Sequence, residues 1–178
     1  MAVKTVQVII NGVTTDLALN SATGDYEKTL TAPGKSSYTI NEGHYYPINV
    51  KATDTAGNVA TKNDVDTDRG KLDVNESVAP VSTITAPTEG QRLIGSPTVS
   101  WTVTDNDSGV NPNTIGITID SGSKVTANIT KTAITGGYRC TYAIPTALSE
   151  GGHTIKVDAQ DYDGNNAVQR SVSIIVDT

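Results

Sequence analysis

Apolar and polar side chains alternate along much of the chain. TVSWTV at 98–103, HTIKVDA at 153–159 and YPINVKA at 46–52 each send every second residue to one side, the period of a β-strand with one buried face. No run of helix length shows the 3.6-residue period of an amphipathic helix. In the second half the alternating runs predict seven strands, at 81–85, 98–104, 114–119, 124–130, 138–143, 153–160 and 167–176. Gly, Asp, Asn and Pro turns separate them, the pattern of a two-sheet sandwich. One row of the 153–160 strand, Ile155, Val157 and Ala159, is expected to meet Val99, Trp101 and Val103 across the core.

The same pattern occurs twice. GDYEKTLTAP at 24–33 aligns with GGYRCTYAIP at 136–145, and YPINVKATDTAGNVA at 46–60 aligns without a gap with HTIKVDAQDYDGNNA at 153–167. Upstream, Val6, Val8 and Ile10 correspond to Ile115, Ile117 and Ile119, each series followed by a glycine turn at Gly12 or Gly122. Three matched blocks in one order, with length differences confined to loops, describe one structural unit and most of another. The boundary falls near VNESVAPVSTITAP, giving an incomplete or atypical β domain at 1–78 and a complete one at 79–178. Pro80 biases Ala79 toward an extended link.

Composition narrows the core. The 178 residues include no Phe, one Trp and seven Tyr, so packing rests on Val, Ile, Leu and Ala spread over β-branched strands. Trp101, the only large apolar ring, reads as a core plug. The formal charge of −6 and the scattered Lys and Arg argue against nucleic acid or an anionic membrane as partner. Met1 and Ala2 lead directly into the strand-like VKTVQVII, so neither a leader nor a span long enough for membrane insertion is expected. The expected chain therefore stays where it is made, leaves by lysis, or is cut from a longer exported protein. A single Cys140 allows no internal disulfide and, alternating with Tyr138 and Tyr142, reads as a buried strand thiol.

Few residues offer chemistry. Asp-x-x-Gly-Asn occurs as Asp54, Gly57, Asn58 and again as Asp161, Gly164, Asn165. An Asp that accepts backbone N–H bonds, a Gly at positive φ and a locally bonded Asn together make a turn between strands. The competing reading is calcium, because DNDSG and DYDG set Asp105 with Asp107, and Asp161 with Asp163, two residues apart. Neither completes the helix-loop-helix calcium pattern or the ion's full oxygen shell, so no cofactor is expected beyond this calcium candidate. His44 and His153 occupy unmatched positions and read as structural or solvent-facing. Asp64, Asp66 and Asp68 read as a solvated loop. Tyr38, Tyr45 and Tyr46 cluster in the loop that enlarges the first unit, either covering a sparse core or forming a binding surface for a protein or a glycan. No nucleophile, base or metal set converges, and an enzyme is not expected.

TAPTEG at 85–90, TDNDSGVNPNTI at 104–115 and EGGHTIKVDAQDYDGNNA at 150–167 resemble the bacterial immunoglobulin-like domains of phage tail and other virion proteins and of bacterial surface proteins. The resemblance spans residues 80–178 and much of 3–75. It implies an all-β fold of tandem immunoglobulin-like sandwiches, the first truncated. It also implies a non-catalytic spacer, stalk, decoration or adhesive module of a virion or cell surface, whose partners are other virion or surface proteins. A carbohydrate-binding accessory module is the alternative.

The first unit departs from this pattern at its start. The second spends residues 80–112 on two leading strands before reaching Ile115, whereas the first reaches Val6 after five residues. Apolar faces and an open edge left by missing strands need cover. Two completions are expected: strands donated by a second copy, or Lys71–Val74 folding back.

Overall fold

The computed structural model describes residues 2–63 and 70–177; the acidic series Asp64, Asp66 and Asp68 lies outside them. The described residues form strands and no α-helix. The chain divides into two compact units, Met1–Glu76 and Ser77–Thr178.

The first unit is built on one antiparallel sheet of β1 (Val3–Ile10), β2 (Val13–Leu19), β3 (Tyr26–Glu27), β4 (Tyr46–Asp54) and β5 (Val59–Lys62), in the order β3-β2-β1-β4-β5. Asn11 and Gly12, both at positive φ, join β1 to β2, the two-residue Asn-Gly connection whose twist matches a hairpin. Register sets one apolar face: Val6 lies between Leu17 and Ala52, Val8 between Thr15 and Val50, Ile10 between Val13 and Ile48. Tyr46 continues that row on β4, and its hydroxyl donates to the Lys35 carbonyl at 3.2 Å, so the chain around Lys35 passes over the same face. A short strand, β6 (Lys71–Leu72), pairs with Pro47 and Tyr46 on β4. Beyond it the Ser37 N–H donates to the Val74 carbonyl at 2.7 Å. Lys71–Val74 thus folds back inside the chain, as one of the two expected completions requires. Cover remains thin: among the described residues of this unit, Val8 and Tyr46 are its buried apolar side chains, while Val13 is 66% and Leu19 55% exposed.

The second unit contains β7 (Val81–Ala86), β8 (Gln91–Ile94), β9 (Thr98–Thr104), β10 (Gly116–Ile119), β11 (Thr130–Ile134), β12 (Gly137–Ala143), β13 (Gly151–Asp158) and β14 (Arg170–Asp177). They make two four-stranded sheets, β10-β13-β14-β8 and β11-β12-β9-β7. Alternation turns Val99, Trp101, Val103, Cys140 and Tyr142 from one sheet toward Ile117, Ile155, Val157, Val172, Ile174 and Val176 from the other, and all belong to one buried cluster. Each Val or Ile so enclosed contributes about 1.5 to 3 kcal/mol.

Two strand expectations are corrected. Residues 124–130 are not a strand: they meet β10 at the single bridge Ile117–Val125, and the regular strand begins at Thr130. β8 was not expected, because QRLI lacks a clean apolar row; it forms by parallel pairing with the end of β14, Ile174 to Gln91 through Asp177 to Ile94.

The two units diverge around the segment that matches β12. In the second unit β12 pairs with β9 over seven residues, Gly137–Ala143 with Thr104–Thr98. Among the described residues of the first unit no strand is the counterpart of β9, and the matching GDYEKTLTAP segment keeps only the two-residue β3, held by β2 in the first sheet. An extended segment without a neighbour leaves its backbone groups to water and does not persist as a strand.

Candidate functional site

The aspartate turns are three versions of one local structure. Asp54 Oδ1 accepts the N–H groups of Ala56 and Asn58, both at 2.8 Å, and Oδ2 accepts Asn58 Nδ2 at 2.8 Å. Asp161 accepts the Asn165 N–H and Nδ2 in the same way, each at 2.8 Å. Asp105 Oδ1 accepts Asp107 N–H at 2.9 Å and Gly109 N–H at 2.8 Å. Gly57 and Gly164 hold φ of 92° and 90°, a region that costs a side-chain-bearing residue strain. The bonds to Asn58, first its side chain and then its N–H, hold the Asp54 carboxyl below its ordinary range.

In the second unit two of these turns lie side by side. Tyr162 N–H donates to the Gly109 carbonyl and Asn111 N–H to the Gln160 carbonyl, both at 3.0 Å. Asp105 and Asp161 are buried, and their carboxylate oxygens come within 4.8 Å of one another. Asp107 and Asp163, the other calcium candidates, are half-buried and take no part in that approach. The N–H dipoles around Asp105 and Asp161 offset their charge through ion-assisted hydrogen bonds.

The tyrosines separate. Tyr46 is buried, 2% exposed; placed at the start of a central strand with its ring on the apolar face, it covers the core, one of the two readings the sequence left open. Tyr45 is half-buried with the Lys71 ammonium 5.1 Å from its ring centre. Tyr38 stacks on His44 with centroids 3.9 Å apart and planes 9° from parallel.

Sequence reasoning passed over one pair. His153 Nδ1 lies 2.8 Å from Asp120 Oδ2, its Nε2 lies 2.9 Å from the Ser149 carbonyl, and the Thr154 N–H donates to Asp120 Oδ1 at 2.8 Å. With an acceptor at each ring nitrogen, the imidazolium satisfies both contacts. The Asp120 bond, followed by the Ser149 carbonyl, raises the His153 pKa above its ordinary value. Partial burial pulls Asp120 upward, but bonds from His153 and Thr154 and the nearby Lys156 charge hold it below its usual range. The Ile119–Ile155 register carries these neighbours to one end of β10 and β13, and no local motif in the sequence signals it.

Lys124 forms an ion pair with Asp158, and its stem crosses Gly116, where any Cβ would collide with it. Cys140 is fully enclosed, and burial pushes its thiol up to about 11, far from the thiolate that nucleophilic chemistry needs. Trp101 is fully buried in the centre of the cluster. His44 lies on Tyr38, and His153 is held by Asp120 and Ser149.

Residues 80–157 match the sequence profile of the bacterial Ig domain. That stretch, lying within the second unit, is similar to the bacterial Ig domain family. Domains of this family are generally non-enzymatic and typically extracellular or surface-exposed. No helix among the described residues is long and apolar enough to cross a membrane. No curated protein matches the chain. Solved structures similar to it include the fibronectin(III)-like modules of CbhA from Clostridium thermocellum, 18% identical with a TM-score of 0.39 over 98% of this chain and 78% of that one. CopC from Methylosinus trichosporium OB3b is 24% identical, TM-score 0.40, over 54% of this chain and 93% of its own. The sialic acid binding region of a Streptococcus sanguinis SK1 adhesin is 15% identical, TM-score 0.37, over 82% and 38%. These likenesses carry no function to this chain, whose second unit keeps its interior for packing.

Proposed function

We propose that the chain is a non-catalytic structural and attachment module on the exterior of a virion, as a tail or decoration component, or on a bacterial cell surface. The observation that carries this reading is the interior of the second unit: both inner faces are filled by Trp101, Cys140, Ile155, Ile174 and their neighbours, and the polar loops are closed by their own hydrogen bonds. Binding therefore uses the outer surface, and the fold supplies a rigid carrier for it. Mass spectrometry of purified virions and of washed cell envelopes from the source distinguishes the two settings. Enrichment in either fraction supports the reading, and absence from both ends it.

A carbohydrate-binding accessory module is the second reading, favoured by the parallel Tyr38–His44 stack, since aromatic faces receive sugar rings. A glycan array probed with the full chain and with Tyr38→Ala tests it. Signal that Tyr38→Ala removes supports the reading, and a blank array contradicts it.

A further inference from the structure

β2 is an edge that the first unit leaves open. β3 pairs with Ala18 and Leu19 only, and among the described residues no strand lies beside 13–17 on the side away from β1. Other edges of the chain are blunted in the ways that prevent unwanted strand pairing. β10, β8 and β5 are four residues long, β5 carries Lys62, and the Ile117–Val125 bridge meets β10 from outside. A register shift between Ile84 and Ala86 interrupts β7, and β11 carries Lys131. β2 reads VTTDLAL, with no proline, no bulge and one charge.

We propose that this edge is a self-pairing surface through which two copies of the chain join, β2 against β2, antiparallel about a twofold axis at Thr15. The free window fixes the register. It is centred on Thr15 and closed on one side by β3 in each copy. A twofold through Thr15 then sets Val13 opposite Leu17 of the second copy, Thr15 opposite Thr15, and Thr14 opposite Asp16. Side chains directly opposite share a face in an antiparallel pair, so the apolar rows of both copies become continuous and the exposed Val13 gains a partner.

Charge selects the same register. Moving the axis one residue to Asp16 would set two carboxylates against each other, which destabilises a strand pair and adds to the repulsion between chains of charge −6. With the axis at Thr15 each carboxylate meets a threonine hydroxyl. A symmetric, isologous contact of this kind closes as a dimer and does not propagate.

The seam is about 17 Å long in a layer about 10 Å thick. It buries a few hundred Å², well under the roughly 1,200 Å² of a standard interface. The pair therefore forms at high local concentration, as among chains crowded on one particle or surface. That setting rests on the proposed exterior role, but the pairing chemistry does not.

The full chain carrying Thr15→Cys, oxidised mildly at hundreds of micromolar, tests the proposal. Opposite Cβ atoms in such a pair are close enough for a disulfide. A covalent dimer is expected from Thr15→Cys and not from Thr61→Cys on the exposed β5 edge. Sedimentation of the unmodified chain should show a dimer whose dissociation constant rises about tenfold in Val13→Lys, with melting unchanged because Val13 is exposed. If Thr15→Cys fails to fold, the Val13→Lys comparison decides. No cross-linking, equal cross-linking at both positions, or association that ignores Val13→Lys, as whole-strand donation would give, overturns the proposal.

Discussion

Trp101 and Cys140 stand opposite one another on β9 and β12, both fully shielded from solvent. The pair joins the widest apolar plate of the chain to the small thiol beside it, and Ile84 flanks Trp101 from β7. Close packing of unequal side chains fills the space between two sheets without another aromatic of that size.

Trp101→Ala should cost the second unit about 3 to 5 kcal/mol, because the cavity cannot close between two hydrogen-bonded sheets. Trp101→Phe should cost less. The indole Nε1 has no hydrogen-bond partner among the described residues, so its removal leaves no acceptor there orphaned and relieves a desolvated donor. Urea unfolding followed by circular dichroism checks both, and an unchanged midpoint for Trp101→Ala would contradict the packing account.

Stability should differ between the units. The first has Val8 and Tyr46 as its buried apolar side chains among the described residues, whereas the second has a continuous two-sheet cluster. Few buried contacts leave backbone hydrogen bonds open to local unfolding. Hydrogen exchange should be slowest in β9, β12 and β13 and about tenfold or more faster in β2 and β5. Uniform protection across both units would refute this.

The all-β fold was legible because alternation is a local property: TVSWTV and HTIKVDA show their buried rows whatever else surrounds them. The repeat was legible for the same reason. β8 escaped because QRLI becomes a strand only through its distant partner Ile174–Asp177, and the fate of GDYEKTLTAP depended on whether a counterpart of β9 lay beside it. Among candidate site residues, the turn chemistry of Asp54 and Asp161 lies within five consecutive positions and can be read directly. The approach of Asp105 to Asp161, the burial of Tyr46 and the Asp120–His153 pair required the register of strands far apart in sequence.

The Asp120–His153 pair sets a pH dependence. A histidine whose pKa is raised on folding stabilises fully below its unfolded value, and that contribution is lost as pH rises through the folded value. The loss therefore begins near the ordinary 6.5 and continues above it. Asp120, lowered on folding, acts in the opposite sense: its contribution is present above 3.8 and lost as pH falls through the folded value. Chain stability relative to His153→Gln should thus be greatest between roughly pH 4 and 6.5 and should decline toward pH 8.5. Urea midpoints of the two proteins across this range provide the check. A difference that grows with rising pH would show the sign to be wrong.

Immunolabelling of intact source material tests the exterior, non-catalytic role most directly. Antibodies raised against the 178-residue chain should decorate unbroken virions or unbroken cells at their outer surface. Labelling that appears only after lysis, with the chain recovered as free soluble protein, would contradict it.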